Sequence, residues 1–528
     1  MGGYRSARQG RWRRAFKLTA LTIIVLAVLA GGALAAAIHW WSGATLAADP
    51  VALARVKLQP LAGSLVSARA YTKGGVEFPV SVSHGRLVPG TPVPTGLGIR
   101  VRIVVQRSGL LAHLLGRRHV EELSVDAPAS APASRYVTVA RGAPVRIRFT
   151  TPVDRVTVDG HTMTLSGTRT VSLGTRTGAA GTIVLASAAR PWEQFGRPVR
   201  VTWFRASSAP AVLVSPGPSA TVSPGTSLRL VFAEPVADVL GSARPRITPD
   251  VAGRWSAPDT HTLVFHPAGF GFPFGKTVRV RLGRTTTAGR TLSWTVPDAS
   301  VLRLHQLLAE QGYLPVDWTA ADPSADTRAT ELRDAVDPPA GTFSWRYPST
   351  PPQLTSQWSP TKITQITRGA VMMFEDEHHL TVDGFAGPQV WRALLADQLA
   401  GKRRTGGYSY VYVHTQLPQL LTLWRNGQVV LTSPGNTGIP ATPTTPGTFP
   451  VFEHIPVGEM QGTNPDGSHY DDTGIRWISY FHGGEALHAF NRASFGTPQS
   501  LGCVELPLDA AAKVWPYTPI GTLVTIEN

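Results

Sequence analysis

The 528-residue chain contains a single cysteine, Cys503. A lone thiol cannot close an internal disulfide, and it cannot build a cysteine-rich zinc site. Cys503 lies in the run SLGCVEL (500–506), directly after Gly502, whose missing side chain lets another group approach the backbone. His488 lies fifteen residues upstream in ALHAF (486–490). A cysteine with a histidine partner is the usual arrangement of a thiolate nucleophile. Backbone N–H groups at a Gly-Cys turn, Gly502 included, can hold an oxyanion. Without such context a single cysteine is more often a small buried apolar residue, so what surrounds Cys503 has to decide between the two.

Other candidates carry less. His482 opens HGG (482–484) and competes with His488 for the role of base. His378 and His379 are adjacent, and adjacent helical residues diverge by roughly 100°, which makes them poor co-ligands of a metal. They read as a solvated helix end. The segment GFGFPFG (269–275) has neither a following Lys-Ser/Thr nor a helix start, so it reads as a turn and not as a phosphate loop.

The elements that must position Cys503 and His488 lie in residues 408–528. This region opens with a strand, the turn Asn426-Gly427 and a second strand, a hairpin signature. TPTTPGTFPVFEH (442–454) is a turn followed by a strand, and GTLVTIE (521–527) closes the chain as a strand. Residues 453–479 are polar and glycine-rich and read as a loop capping a cleft.

Upstream, the pattern is different. Val145, Ile147 and Phe149 alternate with Arg146 and Arg148, and Val278, Val280 and Leu282 alternate with Arg279 and Arg281. Period-two patterning with 52 glycines and 44 prolines predicts antiparallel sheets with many turns over 50–300. Residues 50–207 form one or two such domains, and DAPASAPAS (126–134) reads as a linker. From 301 the period becomes helical, with Val301, Leu304, Leu307 and Leu308 on one face. Residues 316–364, rich in proline and tryptophan, read as an inserted loop or lid.

The formal net charge is +16, from 50 basic and 34 acidic side chains. Arg5, Arg8, Arg11, Arg13, Arg14 and Lys17 precede any acid, and Leu18 to Trp41 then carries no charged residue. That stretch is long enough to span a bilayer, with the basic arm (1–17) cytoplasmic and the rest outside. A cleaved signal peptide, cut near Ala33 to Ala37 and releasing a secreted protein, is the alternative. Most of the remaining positive charge lies between 18 and 300, where it suits lipid headgroups or anionic wall polymers. Residues 408–528 are acidic overall, which argues against nucleic acid as a partner.

Three stretches resemble known families. SPGTSLRLVFAEPV (223–236), ITPDVAGRWSAPDTHTLVFHPA (247–268) and KTVRVRL (276–282) resemble bacterial immunoglobulin-like domains, here 212–298. LAEQGYLP (308–315) and VMMFEDEHHLTVDGFAGPQVWRALL (371–395) resemble the peptidoglycan-binding-like domain, a three-helix module spanning 301–400. TPGTF (445–449), SYFHGGEALHAF (479–490) and SLGCVEL (500–506), in that order, resemble the L,D-transpeptidase catalytic domain of the YkuD family. The expected fold is therefore multidomain and mostly β. It comprises a transmembrane helix (18–41), a β-sandwich stalk, a small helical module and a β-rich catalytic domain (408–528).

This last resemblance implies Cys503 as nucleophile, His488 as general base and acid, and Gly502 in the oxyanion hole. It places Tyr480, His482 and Ser500 at the substrate. It implies peptidoglycan stem peptides as donor and acceptor, a 3→3 cross-link as product, and no metal or organic cofactor. Attack by water instead would give an L,D-carboxypeptidase. Leu501 stands where the family usually has histidine, and Glu505 where arginine is frequent. These departures keep open an inactive, wall-binding protein.

Overall fold

The computed structural model describes residues 7–322 and 327–528. Of the expected cytoplasmic arm, Arg5 lies outside the described residues, as do the side chains of its other basic residues. The chain divides into two compact units. One holds the residues up to Leu213 together with Val231–Pro235, and the other holds Val214–Leu230 and Val236–Asn528.

The first unit begins with helix α1 (Ala7–Trp41). Its segment Leu21–Trp41, with mean hydropathy 2.6 and no part buried, is long and apolar enough to cross a membrane. Strand β1 (Ala44–Ala47) starts only two residues after it. The junction is tied into the sheets. Leu61 N–H donates to the Trp41 carbonyl at 2.9 Å and Gln59 N–H to that of Gly43 at 3.0 Å. Arg107 Nε donates to Ser42 Oγ at 2.9 Å, and Ala44 N–H donates to Glu121 Oε2 at 2.7 Å. The first β-domain thus starts at 44, ahead of the expected 50.

Two four-stranded sheets follow, sharing a core of Leu53, Val56, Leu87, Ile99, Val101, Ile103 and Val105. A separate five-stranded sheet runs in the order 161–172, 146–158, 180–188, 199–205, 136–139. Its core holds the alternating Val145, Ile147 and Phe149. Inward aliphatics between outward arginines explain why this stretch pairs as antiparallel strands. Region 50–207 accordingly contains two cores.

In the second unit, a three-stranded sheet (246–248, 277–286, 289–295) and a hairpin (253–259 with 262–267) bury Trp294 and Phe272. Three helices come next: α2 (Val301–Glu310), α3 (Gln365–Glu377) and α4 (Pro388–Leu399). Residues 316–364 depart from the expected loop or lid. Val316–Ala320 pairs antiparallel with Gly341–Trp345, and Leu332, Ala335 and Leu354 are buried in the same core as α2, α3 and α4. The buried pair Arg303–Glu331, at 2.8 Å, ties this segment to α2. Its tryptophans Trp318, Trp345 and Trp358 pack, partly buried, against that core, so the described part of the segment is not a free loop.

That core continues into the terminal region through Tyr408, Tyr410, Trp424 and Leu523. Contact is close enough to require glycine. A Cβ on Gly369 would lie 2.5 Å from the Gly521 carbonyl oxygen. The helical module and the terminal domain are therefore fused through one hydrophobic core.

The terminal domain is two sheets. The first has strands β2 (Ser409–His414), β3 (Leu420–Arg425), β4 (Gln428–Pro434), β5 (Gly447–Pro450) and a final strand (Leu523–Glu527), in the order β4-β3-β2-final-β5. Asn426 and Gly427, both at positive φ, make the tight turn between β3 and β4, as the sequence predicts. The second sheet is β6 (Glu453–Thr463), β7 (His469–His482), β8 (Glu485–Ala489) and β9 (Val504–Leu506), in sequence order. Residues 453–479, expected as a capping loop, are instead most of the long β6–β7 hairpin. Helix α5 (Leu508–Val514) follows β9.

Candidate active site

The alternation of β8 decides which residues face which way. Leu487 and Ala489 enter the core between the two sheets, where they meet Val411, Leu423, Val504 and Leu506. Ala486 and His488 must then take the opposite face. Strands β8 and β9 are parallel, with Leu487 opposite Val504 and His488 opposite Glu505. Cys503, directly before Val504, packs on that same outer face against the cluster of Ile475, Ile478 and Ala486, which Met460 and Tyr480 also flank. The register thus sets Cys503 and His488 as diagonal neighbours on one face of adjacent strands.

His488 is buried, 3% exposed. Its Nδ1 donates to the Ala489 carbonyl at 3.0 Å, which places the ring proton on Nδ1 and leaves Nε2 as the basic nitrogen. Burial holds His488 below the ordinary histidine value, opposed by its hydrogen bond to Ala489 and by the Glu505 charge. The Cys503 thiol donates to the Gly484 carbonyl at 3.7 Å. Burial pushes this thiol up to about 12, the charges of Glu505 and Glu485 adding to the effect and a backbone N–H from Ala486 opposing it. Both shifts favour the neutral forms, thiol and imidazole.

The turn carrying the thiol is braced by side chains. Ser500, 1% exposed, donates from Oγ to the Cys503 carbonyl at 2.6 Å and accepts the Gly502 N–H at 3.2 Å. Ser500 thus holds the turn. The Gly502 N–H is engaged by that hydroxyl, so Cys503 N–H is the donor in the turn without a hydrogen bond to a described residue. Gly502 has φ +123°, a region that only glycine enters without strain, and its carbonyl accepts from Thr444 Oγ1 at 2.8 Å.

Glu485, unmarked by any sequence motif, joins the pieces. It accepts from Thr445 N at 3.1 Å and Thr445 Oγ1 at 2.7 Å, so the TPGTF turn is docked against the cysteine turn. His482 Nδ1 lies 3.6 Å from Glu485 Oε2, with its ring 4.4 Å from that of Phe449 and its side chain half-exposed. His482 is a rim residue. Tyr480 stacks near Phe452, and burial followed by the neighbouring Cys503 raises its phenol above the ordinary value. Tyr470 is raised for the same two reasons, which places a second tyrosine by the thiol that the sequence did not single out. Its signal was the alternation of β7, hidden by the glycines around it.

Away from this site, His378 Nε2 meets Asp397 at 2.6 Å, at the end of α3.

A braced thiol, a buried histidine whose Nε2 has no hydrogen bond to a described residue and an apolar face beside them supply groups of the kind that cysteine acyl transfer uses. Residues 408–526 match the family model of the L,D-transpeptidase catalytic domain, YkuD. The solved structures similar to the chain include the L,D-transpeptidase from Mycobacterium smegmatis, 16% identical, covering 61% of this chain and 100% of that one, with TM-score 0.21. L,D-transpeptidase 3 from Mycobacterium tuberculosis is 11% identical and covers 60% and 99%, with TM-score 0.21. The catalytic domain of the E. faecium L,D-transpeptidase is 23% identical and covers 22% and 96%, with TM-score 0.21. No curated protein matches the chain.

Proposed function

We propose that the protein is a peptidoglycan L,D-transpeptidase that forms 3→3 cross-links through a thioester on Cys503. The observation that carries this reading is the placement of Cys503 and His488 on one face of β8 and β9, inside the domain that matches the family model.

With both groups neutral at rest, as their shifts favour, proton transfer accompanies attack. His488 Nε2 takes the thiol proton as Sγ adds to the carbonyl carbon of the third residue of a donor stem. Cys503 N–H supports the oxyanion, and Gly502 and Ser500 hold the turn that aims it. The C–N bond to the terminal D-alanine breaks, the amine leaves with the proton from His488, and a thioester remains. A side-chain amine of a second stem then replaces the thiol. Tyr480 and His482 line the donor side. Charge between 18 and 300 would keep the β-domains near anionic lipid or wall polymer, with the catalytic domain outside the membrane.

Purified soluble protein, treated with a carbapenem and weighed by mass spectrometry, should gain one covalent adduct that Cys503→Ser does not form. Tetrapeptide turnover with a labelled acceptor amine should then yield the cross-linked product. Absence of both adduct and turnover would reject an enzyme in favour of a wall-binding protein, and release of free tripeptide alone would identify a carboxypeptidase.

A further inference from the structure

In one sheet of the first β-domain the strands Ser64–Thr72, Gly98–Gln106 and Arg118–Asp126 lie side by side. Ser64 and Arg118 are both paired with Gln106 at one end, and Thr72 is paired with Ile99 near the other. Helix α1 is fastened to the Gln106 end. Gly63 N–H donates to the Gln106 carbonyl at 3.1 Å, two residues from the bond between Leu61 and Trp41. The His39 ring stands edge-on to that of His119, 4.4 Å away. Where α1 crosses a bilayer, this end of the sheet meets the bilayer surface.

The connection between the second and third of these strands, residues 107–117, lies at the same end. A hairpin connection needs only about 2–5 residues and is usually polar. This one reads RSGLLAHLLGR, with four leucines, no acid and a short helix (Gly109–Leu114). Leu110 is 80% exposed, and Leu115 is exposed as well. Arg107 ties the loop to the membrane helix. It is buried, and its guanidinium donates to Ser42 Oγ at 2.9 Å and to the Leu115 carbonyl at 2.8 Å. One side chain therefore holds both Leu115 and the foot of α1. Trp40, Trp41 and Leu61, all exposed, extend the apolar rim, and the exposed Arg117 and Arg118 follow it.

A contiguous exposed apolar rim of this kind marks a contact surface. Its continuity with α1 names the occupant. Leucines at the tip, tryptophans at the junction and arginines behind them have the order of an interfacial segment, with apolar side chains in the acyl boundary and rings and cations at headgroup level. We propose that the loop 107–117 is a second membrane contact, in which Leu110 and Leu115 enter the leaflet facing the domain while Arg117 and Arg118 meet anionic headgroups. The first β-domain then touches the bilayer at two points. This rests on α1 as a membrane span.

The test uses the full chain in vesicles of phosphatidylcholine and phosphatidylglycerol. Cys503→Ser removes the native thiol, and single cysteines then carry an environment-sensitive fluorophore. The positions are Leu110→Cys, Leu115→Cys, Val28→Cys in α1 and Val76→Cys. Val76 is 66% exposed but is bonded to Thr72, at the far end of a nine-residue strand and roughly 25–30 Å from the loop. Labels at 110 and 115 should shift to the blue and lose intensity to a lipid nitroxide roughly 5–10 Å inside the bilayer, the depth of an interfacial segment. The label at 76 should do neither, and the label at 28 should be quenched by a nitroxide deep in the acyl chains. Replacing phosphatidylglycerol by phosphatidylcholine, or Arg117→Gln with Arg118→Gln, should reduce the quenching at 110.

Quenching at 28 without quenching at 110 and 115 overturns the loop contact and leaves the membrane span standing. Absence of quenching at 28 removes the span and the loop contact with it. A blue shift at 110 and 115 without lipid quenching means that protein, such as a second copy of the chain, covers the loop, and it overturns the proposal too. So does quenching at 76 equal to that at 110. Quenching at 110 that ignores both the anionic lipid and the two arginines overturns the headgroup contact. Leu110 and Leu115 are exposed, so a cysteine at either removes no core packing, and each position decides alone if the other variant does not reconstitute.

Discussion

Arg492 grips Glu505 through two nitrogens, at 2.8 and 2.7 Å, on the strand position directly opposite His488. Glu505 is 4% exposed, and the guanidinium also lies over the Phe490 ring at 4.6 Å. Where the family frequently places a cation, this chain has an anion and supplies the cation from a neighbouring loop. The pair leaves the local charge close to neutral.

Removing half of that pair should therefore be worse than removing both. Arg492→Gln leaves a carboxylate opposite His488 and near Cys503, which raises the pKa of both groups. Carbapenem acylation at neutral pH should slow by about tenfold, and stability should fall by about 3 kcal/mol, as when one partner of a buried pair is lost. Arg492→Gln combined with Glu505→Gln should recover most of both. Stopped-flow acylation and thermal melting of the three variants check this.

The pH profile of acylation distinguishes a neutral pair from an ion pair. Attack needs neutral His488, and burial holds that group below the ordinary histidine value. The acid limb should accordingly fall below pH 6.5, the usual position for histidine. On the alkaline side the thiol, pushed up to about 12, stays protonated, so the rate should hold level beyond pH 9. A preformed thiolate–imidazolium pair would instead lose rate as the imidazolium deprotonates, and a bell-shaped profile would contradict the neutral pair.

Gly502→Ala tests the turn. At φ +123° a side chain is strained, and the new Cβ would stand 3.5 Å from Glu485 Cγ. A cost of about 1–3 kcal/mol is expected, with acylation reduced by at least tenfold while the far-ultraviolet circular dichroism stays that of wild type. Normal acylation by this variant would mean that the turn is not needed in its present shape.

Asp49 gives the first unit an acid-sensitive brace. Backbone N–H groups of Ala52 and Val51, then Arg86, hold its carboxyl down at about 2. A depressed carboxyl contributes stability above its unfolded pKa near 4 and loses it as pH falls toward 2. Asp49→Asn should cost about 2 kcal/mol at neutral pH and remove part of the acid sensitivity between pH 4 and 2. Thermal unfolding of the isolated variant and wild type across that range reads both effects.

The chemistry was legible where it depended on local pattern. Cys503 and His488 stand out because the lone thiol follows a glycine and a histidine sits in an alternating segment fifteen residues upstream. Their partners were not legible. Glu485, Arg492 and Tyr470 acquire their places only through contacts made in the folded chain, which a single sequence does not record. The β6–β7 hairpin read as a loop because its distal part is polar on both faces, so only Ile455, Met460, Ile475 and Ile478 mark an apolar side. Residues 316–364 misled for the opposite reason, since their prolines suggest a loop while Val316, Leu332 and Leu354 are core.

The joint between α1 and β1 has a mechanical meaning. A flexible tether of n residues lets its cargo wander by roughly 5–6 Å × √n. Here almost no tether exists: Ser42 and Gly43 are the only residues between the elements, and Ser42 is fully buried against Arg107. Where α1 sits in a bilayer, the first β-domain is mounted like a bracket and not leashed. Its tilt is inherited from the helix, and lengthening this joint by a few flexible residues would change orientation at the membrane without touching any catalytic group.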